Sequence, residues 1–271
     1  MKLSISQDAR PQVNALLAAA AISIILWFIP FADVLTYPFR IFVTFIHEGG
    51  HAIAALLTGN SVGSLSVAMN ASGETYTSKG GLISQVFVAS AGYIAAMTFG
   101  ALLLVLIRKR VKARIVLIGS AVLIFTLTLI YGILTPIVTG GALSGIPFTF
   151  LAGTLLTIGL IALAKFAGRK VATFFMSFLA VQCVLNALLD LKTVFFLSSP
   201  FGPTVSTDAV NMANATGIPA FFWAILWIVI ALVMLGFAMR IFIVKRDSML
   251  QPALPFEQLP EAETSRSRAA F

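Results

Sequence analysis

The sequence predicts an all-α integral membrane protein: a polytopic bundle of about seven transmembrane helices (six to seven), with a short β-like or re-entrant element after the second. Three observations carry this. Of 271 residues, 59% are hydrophobic and only 10% are charged, with a mean hydropathy of +1.00. A soluble domain carries roughly a quarter charged residues, so a cytosolic enzyme and a disordered chain are excluded. The apolar residues are gathered into stretches near the ~20 residues that cross a bilayer. The 18 basic residues fall in short clusters between those stretches, so the net charge of +8 reads as a topology signal and not as a nucleic-acid surface. The expected partner is therefore the lipid bilayer, with no nucleic acid. A lone cysteine, Cys183, excludes a disulfide scaffold.

Taken in order, the first stretch covers 14–35. Pro30, Phe31 and Asp33 stand where a secretory signal needs small residues, so it is kept as a mature span. The second covers 38–58. Residues 59–81 turn polar and glycine-rich, and the alternation in "SLSVAMNASGETYTS" suggests a hairpin or re-entrant element. At membrane depth such an element needs protein or water beside it. The third stretch, 82–107, shows a small-residue face of Ala89, Ala91, Gly92, Ala95, Ala96 and Gly100 suited to packing on the second. The fourth and fifth, 115–137 and 143–166, are joined by the turn "TGGALSG". The sixth is 171–197. A polar connection, 198–217, leads through Gly217, Ile218 and Pro219 into the seventh, 219–243. Tyr37, Trp223 and Trp227 suit interfacial anchors. Residues 1–246 are expected to form one transmembrane domain, and 247–271 a disordered cytoplasmic tail.

Basic residues in short loops mark the cytoplasmic side. Arg108, Lys109, Arg110, Lys112 and Arg114 follow the third span, Lys165, Arg169 and Lys170 the fifth, and Arg240, Lys245 and Arg246 the seventh. This alternation places 59–81 and 198–217 outside. Short loops and a basic interior favour a bacterial inner membrane.

The second span contains "FIHEGGHAIAALLTG", an HExxH arrangement of His47, Glu48 and His51. Positions four apart on a helix differ by about 40° and about 6 Å, so both imidazoles can meet one metal ion. Glu48 is placed to take a proton from a metal-activated water, as in zinc hydrolases. With only two histidines in the chain, chance alignment is on the order of one in ten thousand. The plainer alternative is a pair of histidines hydrogen-bonded to neighbouring helices. Gly49 and Gly50, inside the motif, permit close approach of either another helix or a substrate strand.

Hydrolytic zinc normally takes a third protein ligand and keeps an open position. No third histidine exists, so the ligand must be acidic. Asp8, Asp247, Glu257, Glu261 and Glu263 lie near the termini, and Asp33 at the end of the first stretch. Glu74 lies in the hairpin element. Asp190 alone sits well inside an apolar helix, with Asn186 at i−4 to hold the carboxylate or touch the ligands. Asp190 also shares the depth of the histidines, so it is the expected third ligand, although it could instead pair with Lys192 or snorkel outward. Asp208, in the outer connection, reads as loop surface, a substrate contact or a reserve ligand.

These residues resemble the site-2 protease family of intramembrane zinc metalloproteases. The resemblance rests on "HEGGHAIAALLTG" in a transmembrane helix and on an aspartate in a later span, "NALLDL". More narrowly, "SAGYIAAMTFGALL" and "STDAVNMANATGIPAFFW" resemble a small bacterial, peptidase M50B-like branch, over residues from about 40 to 230. The resemblance implies that His47 and His51 bind Zn2+, that Glu48 is the general base and that Asp190 completes the site. It implies a zinc metallopeptidase that hydrolyses peptide bonds of a membrane-protein substrate helix. The rival reading is a non-proteolytic metal-binding membrane scaffold that retains HExxH. A solute carrier should show repeated halves with broken helices, and the sequence shows neither clearly. Oligomeric state is not legible.

Overall fold

The computed structural model describes residues 10–29, 31–140, 143–198 and 205–243. In order come α1 (Arg10–Phe28), α2 (Asp33–Leu57), β1 (Val62–Val67), β2 (Gly73–Thr77) and α3 (Leu82–Arg108). Then follow α4 (Ala113–Leu127), a π-helical stretch (Thr128–Leu134) and α5 (Thr135–Thr139), which together run as one rod. A 3-10 turn (Leu143–Gly145), α6 (Ile146–Phe166), α7 (Arg169–Leu197), α8 (Asp208–Thr216) and α9 (Ala220–Ile243) complete the chain. The expected tail 247–271 lies outside the described residues, as do Lys245, Arg246 and the terminal acids.

Among the described residues, five helical spans are long and apolar enough to cross a membrane: Leu82–Arg108, Ala113–Thr139, Leu143–Phe166, Arg169–Leu197 and Ala220–Ile241. The protein is thus a mostly helical, multi-pass membrane protein with a small two-stranded sheet. The other two expected spans, α1 and α2, are helical. α1 holds the apolar run Leu16–Leu26 among the residues whose side chains are described. α2 is long enough but carries Asp33, Arg40 and Glu48 beside its two histidines, because it is the helix that holds the polar site.

α2 ends at a glycine. Gly59 adopts φ 79°, and the Asn60 amide reaches back to the Ala55 carbonyl at 2.8 Å, the closing bond of a Schellman cap. The chain then reverses into the expected hairpin, with β1 antiparallel to β2. Leu65 and Val67 of β1 are buried. Polar groups of the hairpin are met by protein. The Tyr37 hydroxyl donates to Met69 O at 2.6 Å, Thr44 Oγ1 to Ala71 O at 2.7 Å, and the Val67 amide to Thr149 Oγ1 at 2.9 Å. Gly145 before α6 leaves room for β1, since a Cβ there would stand 2.7 Å from Ser66, and Gly132 in the π-helical stretch leaves room for Thr149 of α6, 2.9 Å from an added Cβ.

The small-residue face of α3 does pack on α2. A Cβ at Gly50 would stand 2.5 Å from Ala95 Cβ and 2.6 Å from the Ala91 carbonyl, so this glycine serves helix approach and not a substrate strand. Gly49 abuts Leu127 of α4 in the same way. On its far side α3 meets α7, where Gly100 faces Val184 and Cys183. Trp227 corrects an expectation. It is 2% exposed, its ring lies 5.0 Å from Tyr93, and its indole N–H donates to Ser90 Oγ at 3.2 Å. It is a core residue, since Tyr93 and Ser90 give its ring and N–H partners that an interface would otherwise supply. Tyr37 likewise ties α2 to the hairpin.

Candidate metal centre

The one-turn spacing in α2 brings the two imidazoles together, with His47 Nε2 and His51 Nε2 3.0 Å apart. Glycine again makes the space. A Cβ at Gly92 of α3 would collide with both Nε2 atoms. His51 Nδ1 lies 2.7 Å from the Val88 carbonyl, which can only accept, so Nδ1 carries the proton and the Nε2 lone pair faces inward.

The carboxylate that meets them is Asp208. Its Oδ2 stands 3.2 Å from His47 Nε2 and 3.3 Å from His51 Nε2. Asp208 is the first residue of α8, which is capped by Thr207 Oγ1 accepting from the Val210 amide at 3.3 Å. α8 ends on Gly217 at φ 75° and buries Ala209 and Met212 against α3 and α9. Burial acts to raise the Asp208 carboxyl, but the two histidines outweigh it and hold the group well below the usual carboxylate range.

His47, His51 and Asp208 are the group among the described residues able to share a metal ion, with ligand atoms all within 4.8 Å of one another. Donors about 2.0–2.1 Å from zinc at tetrahedral corners stand about 3.3–3.4 Å apart. The three observed separations, 3.0, 3.2 and 3.3 Å, form such a triangle to within a few tenths of an ångström. Two neutral imidazoles and one carboxylate are also a donor set that hydrolytic zinc takes.

Asp190 lies outside this cluster, so the aspartate gathered with the histidines differs from the expected one. The buried stripe of α7 runs through Val184, Ala187, Leu191 and Val194, and Asp190 falls beside that stripe on an exposed face. Asn186 does not hold it either, because its amide donates to its own helix, to Gln182 O at 2.8 Å and Gln182 Oε1 at 3.3 Å. Glu74 is exposed on the hairpin.

Glu48 points from the same helical turn towards the hairpin. It is 5% exposed, and its Oε2 accepts from Thr75 Oγ1 at 2.7 Å. Glu48 Oε1 keeps open space where β2 passes at Gly73, since a Cβ added there would stand 2.5 Å from it. Two further groups were not legible in the sequence. Tyr93 sets its ring edge-on to His47, with centroids 4.7 Å apart, and its hydroxyl interacts with Asp208. Trp227 backs Tyr93. The available signal was adjacency, since Tyr93 directly follows the glycine that admits both histidines.

No curated protein and no solved structure matches the chain. The Peptidase M50B-like family model matches residues 16–238, a region that contains the motif helix, the hairpin, Asp208 and most of α9. The chain belongs to the Peptidase M50B-like family.

Proposed function

We propose that this protein is an intramembrane zinc metallopeptidase in which His47, His51 and Asp208 hold the metal and Glu48 is the general base. The observation that carries the proposal is the triangle of three ligand atoms beside a buried, hydrogen-bonded glutamate. Zinc at that position supplies Lewis acidity, which lowers the pKa of water and polarises a carbonyl.

The remaining chemistry belongs to the chain. Thr75 occupies Glu48 Oε2 and fixes the carboxylate, leaving Oε1 to take the proton of the attacking water. Glu48 then delivers that proton to the departing amide nitrogen, so peptide plus water becomes carboxyl plus amine. Val88 orients His51, and Tyr93 with Trp227 braces His47 and Asp208. The proposed substrate is a transmembrane segment that unwinds locally, because a helix buries its peptide groups in its own hydrogen bonds. β2 has no further strand on its outer edge among the described residues, so the unwound segment can add there as a strand, one residue from Glu48's partner Thr75.

We further propose that α1 and α2 complete a bundle of six to seven crossings in a bacterial inner membrane, with the basic loops cytoplasmic. The test is cleavage of a helical membrane reporter by protein reconstituted in vesicles. Cleavage should stop on chelation and return with added zinc. Activity indifferent to chelation, in protein shown to be metal-free, would overturn the reading in favour of another hydrolytic mechanism.

A further inference from the structure

A groove of about 350 Å³ runs between α2 and α6, away from the metal centre, and its walls are apolar throughout. Tyr37 and Phe42 form one side, and Phe148, Leu155, Gly159 and Leu163 the other. Along α6 the lining extends over sixteen residues, from Phe148 to Leu163, a rise of about 22 Å at 1.5 Å per residue step. The groove is long and narrow. A helix is about 10–12 Å across with its side chains and would need several times this volume, which excludes a substrate helix. A cavity of about 150 Å³ accepts six-carbon benzene, so this one takes an unbranched chain of about a dozen carbons or somewhat more.

The charge at one end names the kind of lipid. Leu163 is the last groove residue of α6, and Lys165, Arg169 and Lys170 follow at the end of α6 and the start of α7, all exposed. The rest of α6 offers no cation. A chain in the groove therefore places its headgroup at a cationic cluster at the membrane surface, where each such residue adds to the attraction of an anionic lipid. We propose that this groove binds one acyl chain of an anionic phospholipid whose headgroup rests on Lys165, Arg169 and Lys170. The bound chain fills the wall of α2 directly below the motif turn and beside Tyr37, the residue that ties α2 to the hairpin.

Gly159 gives the means to test it, because a Cβ there meets nothing within 4 Å. Gly159→Leu fills the groove from a helix position where leucine is the better helix former. The experiment is native mass spectrometry of the full chain after delipidation and exchange into dioleoyl phosphatidylglycerol or dioleoyl phosphatidylcholine. Wild type should retain one phosphatidylglycerol per chain and at least about tenfold less phosphatidylcholine. Gly159→Leu should lose the bound lipid, and Gly159→Ala should keep it. Lys165→Gln with Arg169→Gln and Lys170→Gln should abolish the preference between the two lipids. Leu155→Trp, at the exposed lip, is a second filler should Gly159→Leu lose its helical circular dichroism. Retention of phosphatidylglycerol by both fillers, equal retention of the two lipids by wild type, or retention of neither would each overturn the proposal. None of these readouts depends on proteolysis.

Discussion

Glu48→Gln should abolish cleavage while leaving zinc in place. Glutamine has the shape of glutamate, and its carbonyl can still accept from Thr75 Oγ1, which lies 2.7 Å from Glu48 Oε2. No ligand to the metal is touched, since those atoms belong to His47, His51 and Asp208. What is lost is, among the described residues, the buried carboxylate beside the cluster able to take a proton from water. General-base contributions of this kind are worth about 10²–10⁴-fold in rate. Reporter cleavage should fall by that range or more with unchanged zinc content. Normal turnover in Glu48→Gln would move the base to another residue.

Gly92→Ala should cost the metal, for a steric reason. An added methyl group would overlap His47 Nε2 and Cε1 and come within 2.5 Å of His51 Nε2. The rings cannot retreat freely, because His51 is held by Val88 at 2.7 Å and His47 is packed on Tyr93. Displacing imidazoles that share one ion should lower zinc affinity by at least about 10–100-fold, the range seen when ligand orientation is lost. Overpacking should also cost about 1–3 kcal/mol of stability. Gly119→Ala is the matched control, since its Cβ meets no atom within 4 Å. Competition with a zinc indicator checks both variants, and unchanged affinity in Gly92→Ala would contradict the geometry of the site.

The parts of this site that depend on local spacing were legible in the sequence. Two histidines one helical turn apart, and the glutamate between them, announce their chemistry without any tertiary information. The hairpin was legible for a similar reason, because alternation over a few residues is a local signal. The partner of the histidines was not. Asp208 lies 161 residues beyond His47, and its position depends on a nine-residue helix inside a segment that reads as polar connection. The cues were present in Thr207 as cap, Ala209 and Met212 at helical spacing, and Gly217 as stop. Asp190 attracted the assignment because an acid in an apolar helix is costly unless partnered. Depth alone does not say which face of α7 carries it, however, and the buried stripe is fixed by Ala187 and Leu191 instead. The count of crossings was blurred by the same chemistry, since the helix that bears the site must carry charge and so departs from the composition of a simple span.

The central claim is that Asp208 completes the metal site. Elemental analysis of detergent-purified protein, loaded with zinc during expression, tests it with wild type, Asp208→Ala and Asp190→Ala side by side. The geometry predicts about one zinc per chain in wild type and in Asp190→Ala, and a loss of zinc from Asp208→Ala, consistent with an affinity reduced by at least about a hundredfold. Stoichiometric zinc in Asp208→Ala together with its loss from Asp190→Ala would contradict the account and return the third ligand to α7.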